Sequence, residues 1–187
     1  MREIFVLIDL IETKHYLEGN PSWYVRYVLE KLSNIKNTLE FCKKNKIETY
    51  KINYIGTKKE PVKDNEILNG FEFDHQWNIG DGDKPLRANK LGQGYYSKVY
   101  FGGASFDACV LRTRDESYLN IKDSSSIGWW QQDCHLVLDS CMQDIKIFPG
   151  EENPGWKRKE DILLYKKDLI KSFKINTLES LIDEHCK

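Results

Sequence analysis

The first apolar run constrains the fold most. Ile4-Phe5-Val6-Leu7-Ile8 is uninterrupted and rich in branched residues, and it stops at Asp9. A strand wet on one face alternates apolar and polar residues. A strand buried on both faces reads as a continuous run, the pattern of a parallel sheet covered on two sides. Asn20-Pro21-Ser22 then punctuates the chain. From Trp23 to about Lys44, the residues Val25, Val28, Leu29, Leu32, Ile35, Leu39 and Cys42 recur every three or four positions. They form one stripe of an amphipathic helix, with Ser22 as its N-cap. Ile47 to Ile55 alternates as a second strand. Strand, helix and strand in this order predict a βαβ unit.

The alternation continues. Phe71 to His75 alternates like a short strand, Gly80-Asp81-Gly82-Asp83 is a loop, and Pro85 suits the first turn of a helix reaching about Gln93. Val99-Tyr100-Phe101 reads as a buried strand closed by Gly102-Gly103, and Cys109 to Tyr118 as a helix. His135-Leu136-Val137-Leu138 is a strand ending at Asp139. Lys157 to Lys171 is a charged helix, Phe173-Lys174-Ile175 a last strand and Thr177 to Glu184 a last helix. The expected class is α/β: a three-layer αβα sandwich with a mainly parallel, doubly wound (Rossmann-like) sheet. At 187 residues, a single domain spanning 1–187 is expected. Ligands of such sheets bind at the carboxyl ends of the strands. Asp9, the loop after Phe101 and Asp139 all fall there.

Composition excludes several classes. Against 28 Lys and Arg stand 29 Asp and Glu, a net charge of −1, which argues against a basic nucleic-acid binder. Hydrophobic residues make up 40%, too many for a disordered chain. Ile4–Ile8 is far too short to span a membrane, and the N-terminus lacks the apolar core of a signal peptide. A cytoplasmic protein binding neither nucleic acid nor membrane is expected. The five cysteines are odd in number and hold no C-x-x-C pair, and the four histidines are scattered. Neither a disulfide framework nor a metal site is expected. Cys42 belongs to the apolar helix stripe. Lys157-Arg158-Lys159 and the lysines after it read as a solvated helix face.

The stretch richest in chemistry is Gly103-Ala104-Ser105-Phe106-Asp107-Ala108-Cys109-Val110-Leu111-Arg112-Thr113. A buried strand ends, a glycine turn follows, and a cysteine opens a helix. The helix dipole and free N–H groups there favour the nucleophilic thiolate. The same N–H groups suit an oxyanion. A small buried cysteine packed at a strand–helix junction would leave the same pattern.

Gly103, Asp107, Cys109, Val110 and Thr113 together resemble the nucleophile motif of the isochorismatase-like cysteine hydrolases, which include nicotinamidases and N-carbamoylsarcosine amidases. Ile4–Asp9 is similar to that family's first strand with its catalytic aspartate. Pro85 through Gly103, His135–Asp139 and Ser172–Leu181 resemble later segments in the same order. The resemblance implies that Cys109 attacks an amide-type carbonyl while Asp9 moves the proton. It places the oxyanion hole at the amides of Ala108 and Cys109, and a cis peptide at Ala104–Ser105.

The family's third catalytic residue, a lysine, has no evident match. Its place falls near Asp74, His75 or Gln76, so His75 is a candidate substitute, as is Lys84 from the glycine-rich loop. The glutamine two residues after the aspartate is replaced by Ile11. The metal-binding set of nicotinamidases has no counterpart, so no metal or cofactor is expected. Trp77, Phe106 and Asp139 are the candidate substrate-binding residues, and Trp129-Trp130 suits a pocket cap or a subunit contact. The resemblance implies a small-molecule substrate and a homo-oligomer. Two functions fit: a divergent cysteine hydrolase cleaving a C–N bond of an amide or ureido compound, or an impaired relative that binds a ligand or serves assembly.

Overall fold

The computed structural model describes residues 2–54, 63–79, 96–104, 110, 133–142 and 174–186. Its strands are β1 (Glu3–Ile8), β2 (Glu48–Tyr54), β3 (His75–Ile79), β4 (Lys98–Ala104), β5 (Asp133–Met142) and β6 (Lys174–Asn176). They form one sheet in the order β3-β2-β1-β4-β5-β6, and every pairing is parallel. The expected α/β class and doubly wound sheet are what the chain adopts.

The continuous apolar run follows from the position of β1 between β2 and β4. Ile4 to Ile8 are all 0% exposed. Ile4, Val6 and Ile8 pack with Tyr50, Val99, Phe101, Val110 and Leu136 on one face. Phe5 and Leu7 point to the other face, into a cluster with Val28, Leu32, Ile35, Leu39 and Cys42. Those last five belong to α2 (Ser22–Asn45), which follows a short α1 (Lys14–Leu17). These five members of the stripe read from the sequence lie on the buried face of α2, its Leu and Ile side chains each contributing about 1.5–3 kcal/mol by leaving water, whereas Val25 is half-buried and Leu29 is 48% exposed. No helix among the described residues is long and apolar enough to cross a membrane.

Several boundaries differ from expectation. Ser22 is the first residue of α2 rather than its N-cap. Pro21 takes the cap with extended backbone and no side-chain bond. Phe71–His75 is not a strand: β3 begins at His75 and runs to Ile79. Phe71 and Phe73 alternate because both are half-buried against the α2-side core, with their rings 4.8 Å apart. β4 continues through both glycines to Ala104. The last helix, α3 (Leu178–His185), opens on Thr177, whose side chain and that of Ser180 form a reciprocal capping box.

β5 does not end at Asp139 but runs on to Met142. It reaches that length through a bulge: Phe101 pairs with Leu136, yet Gly103 pairs with Cys141. Bulges leave backbone groups without ladder partners, and α2 supplies a partner for one of them here. Lys31, buried on α2, donates from Nζ to the Leu138 carbonyl at 2.9 Å. The buried hydroxyls of Thr38 and Ser140 meet at 2.7 Å. Helical spacing puts positions 31 and 38 on the buried face, three residues after Val28 and Ile35, but their polar side chains leave them out of an apolar stripe. Lys31→Ala should cost about 2–3 kcal/mol, because it strands a buried carbonyl and removes a packed stem. Lys31→Met keeps the stem and should cost less. Urea denaturation midpoints check both.

Candidate active site

Asp9 is the first residue beyond β1, and its φ of 51° lies in the left-handed region. Aspartate tolerates that region better than most residues. Two contacts hold its backbone, and a third ties in Ile11. The Asp9 N–H donates to the Ile52 carbonyl at 2.7 Å, a last rung toward β2. Its carbonyl accepts from the Tyr16 hydroxyl at 3.4 Å. The same hydroxyl accepts from the Ile11 N–H at 3.2 Å. The residue is half-buried at the carboxyl edge of the sheet.

On the other side of β1, Gly103 pairs with Ile8. Its φ is 115°, and a Cβ built there would stand 2.0 Å from the Ile8 carbonyl oxygen. Only glycine fits this crossing of two backbones. The glycine-rich end of β4 thus leaves the sheet beside Asp9. Val110, the residue after Cys109, is buried in the same apolar cluster as Val6 and Ile8.

No protein-family model matches the sequence, and no curated protein does. The fold does match solved structures. It is similar to an isochorismatase-like hydrolase from Alkaliphilus metalliredigens, with TM-score 0.64 and 14% identity, covering 98% of this chain and 99% of that one. A cysteine hydrolase from Pseudomonas syringae pv. phaseolicola matches with TM-score 0.67 and 11% identity over 97% and 91%. An N-carbamoylsarcosine amidase from Thermoplasma acidophilum matches with TM-score 0.55 and 14% identity over 95% and 96%. The chain has the isochorismatase-like hydrolase fold. The likeness carried by the sequence motifs and the likeness carried by the backbone thus agree.

Within this isochorismatase-like fold, the other candidate residues divide into three groups. Cys109, Lys84, Ala108, Ser105 and Phe106 lie outside the described residues, as does the helix expected from Pro85. Ala104 is the last residue of β4, buried and paired with Met142. Trp77 pairs in the backbone with Ile52.

His75 and Asp139 are placed elsewhere. His75 pairs with Tyr50, whereas Asp9 bonds to Ile52. That puts His75 about three residues, or ~10 Å, back toward the amino edge and two strands away. The sequence reads Phe71–His75 as a strand, which would put His75 at its carboxyl end, but His75 is the first residue of β3. The carboxyl end of β3 is instead Asn78 and Ile79, which pair with Asn53 and Tyr54. Asp139 lies within β5, and its Oδ2 accepts from the Leu178 N–H at 3.2 Å. It serves the N-terminus of α3 rather than standing free at a strand end.

His75 belongs to a polar cluster at the amino edge. Its Nε2 lies 3.1 Å from Glu48 Oε2, which also accepts from the Tyr96 hydroxyl at 2.7 Å. Arg2 donates to Glu48 Oε1 at 2.8 Å. Burial works to raise the Glu48 pKa, but hydrogen bonds from Tyr96, His75 and Arg2 outweigh it and hold the carboxyl below its usual range. A depressed folded pKa adds stability above the unfolded value, and that stability is lost as pH falls through the folded one. Glu48→Gln should therefore cost about 1–2 kcal/mol near neutral pH. The cost should shrink as pH drops below about 4. Thermal melts from pH 3 to 7 check this.

Three of the four described cysteines are buried. Burial pushes the Cys42 thiol up to about 12 and does the same to Cys141. Cys134 is also buried, and Cys186 is exposed at the end of α3. Neutral, enclosed thiols are inert. Among the described residues no three His, Cys, Asp or Glu side chains gather as a metal site.

Proposed function

We propose that the protein is a cysteine hydrolase that cleaves a C–N bond of a small amide or ureido compound. The observation that carries this is the meeting of two strand ends: Asp9, in left-handed backbone, beside the glycine crossing from which the Cys109 motif departs. Asp9 accepts the Cys109 proton, and the thiolate adds to the substrate carbonyl. The oxyanion collects at the amides of Ala108 and Cys109. Asp9 then protonates the leaving nitrogen as the C–N bond breaks. Water, deprotonated by Asp9, releases the acyl group from sulfur. The neighbours named as an isochorismatase-like hydrolase, a cysteine hydrolase and an amidase support the class. A small-molecule substrate, a homo-oligomer and a cytoplasmic setting belong to the same proposal.

A panel of small amides and ureides, followed by amine or ammonia release, tests the activity. Turnover that disappears in Cys109→Ala is expected. One observation favours the alternative of a ligand-binding relative: His75, the candidate for the family's missing lysine, is held by Glu48 at the far edge. Saturable binding with no turnover across the panel would decide for that alternative.

A further inference from the structure

The loop after Asp9 is held by a buried hub that neither the family resemblance nor the sequence singled out. Asn65 is 0% exposed. Its N–H donates to the Leu10 carbonyl at 3.1 Å. Its side-chain amide donates to the Ile11 carbonyl at 2.7 Å and to Thr13 Oγ1 at 3.1 Å. Its Oδ1 accepts from the Ile67 N–H at 3.1 Å, capping a single 3₁₀ turn at Glu66–Leu68. Flanking residues add to the clamp. Asp64 forms a bridge with Ile11, and Glu66 Oε2 accepts from both the N–H and the hydroxyl of Thr13. Asp64 is itself tethered to β2 by Lys51, whose side chain is 8% exposed, and by Asn53. Tyr16 closes the loop from the other side, bonding Asp9 and Ile11.

So many bonds on five loop residues exceed what a plain strand–helix connection needs. A left-handed aspartate at a strand end keeps one orientation only if its surroundings over-determine it. We propose that Asn65, assisted by Tyr16, is a positioning residue for Asp9. Segment 64–66 fixes the loop 9–13 and so fixes where the Asp9 carboxylate stands relative to the thiol it serves. This rests on Asp9 being the proton shuttle for Cys109.

The test is the rate of Cys109 alkylation by iodoacetamide in the full chain from pH 5 to 9, read by mass spectrometry. Asn65→Asp keeps the acceptor for Ile67 but loses both donors; Tyr16→Phe keeps the ring and loses the hydroxyl. Asn65→Asp should change the rate at pH 7 by about threefold or more, in the direction of Asp9→Asn. In the Asp9→Asn background it should add less than about twofold. Tyr16→Phe should shift the profile the same way, and it carries the test if Asn65→Asp does not fold. A lowered melting temperature with an unchanged pH profile would make Asn65 structural only and overturn the proposal. So would a full effect persisting after Asp9→Asn. If Asp9→Asn alone leaves the wild-type profile unchanged, the proton-shuttle reading falls and the positioning role with it. That result is separable because it needs no Asn65 variant.

Discussion

Gly103→Ala is expected to be the most damaging methyl addition among the described glycines. The new Cβ would stand 2.0 Å from the Ile8 oxygen, 2.6 Å from its nitrogen and 2.8 Å from its carbonyl carbon. All three are backbone atoms of a central strand, so no side-chain rotation relieves the clash. The φ of 115° adds a penalty of its own for any residue with a Cβ. A loss of at least ~3 kcal/mol is expected, a large part of the roughly 5–15 kcal/mol that holds a domain folded. The melting temperature should fall by about 6–12 °C or more, or the variant should not accumulate in soluble form. Gly102→Ala makes a graded comparison. Its Cβ meets the Phe5 ring at 2.7 Å and the Ser140 oxygen at 3.0 Å. The ring can shift, so the loss should be smaller. Equal, small losses in both variants would contradict the close crossing of β1 and β4 on which the site depends.

The second large effect is chemical. Once a substrate is in hand, Asp9→Asn should lower kcat by ~10²–10⁴-fold, the usual worth of a placed general base and acid. The substitution isolates that role. Asparagine accepts left-handed backbone as readily as aspartate, so the bonds from Ile52 and Tyr16 to the residue 9 backbone should survive. The melting temperature should stay close to wild type while turnover falls. Asp9→Ala is the poorer choice, because it adds a backbone penalty to the loss of the carboxylate. A variant Asp9→Asn with unaltered kcat would remove Asp9 from the mechanism.

The fold was legible in the sequence to the extent that burial patterns were uniform. β1 declared itself because both of its faces are dry, and the α2 stripe because one face of a long helix meets the core. Errors arose where polar residues go inside or apolar ones stay half out. Lys31 is buried on α2 because it donates to a carbonyl of the β5 bulge, and Thr38 because its hydroxyl pairs with that of Ser140. That bulge carries the strand past Asp139, which a sequence pattern takes as an end. Phe71 and Phe73 imitate strand alternation while packing from a loop, so the strand that His75 begins reads as one that it ends. Of the candidate site, the place of Asp9 just beyond β1 was legible, because a carboxylate ending a buried strand is conspicuous. Asn65 was not, although Asp64-Asn65-Glu66 carries a recognisable capping signal. Its value lies in bonds to residues more than fifty positions away, which no local pattern encodes.

The most direct measurement is the alkylation rate of every cysteine in the folded protein between pH 5 and 9, resolved by mass spectrometry. Cys109 should react fastest near neutral pH, with a profile that Asp9→Asn shifts. Cys42 and Cys141, with thiols pushed up to about 12 by burial, should stay unmodified until the protein unfolds. Cys186 should react as an ordinary exposed thiol. A Cys109 no faster than Cys186, with a profile indifferent to Asp9, would contradict an activated nucleophile and leave the isochorismatase-like fold without its hydrolytic chemistry.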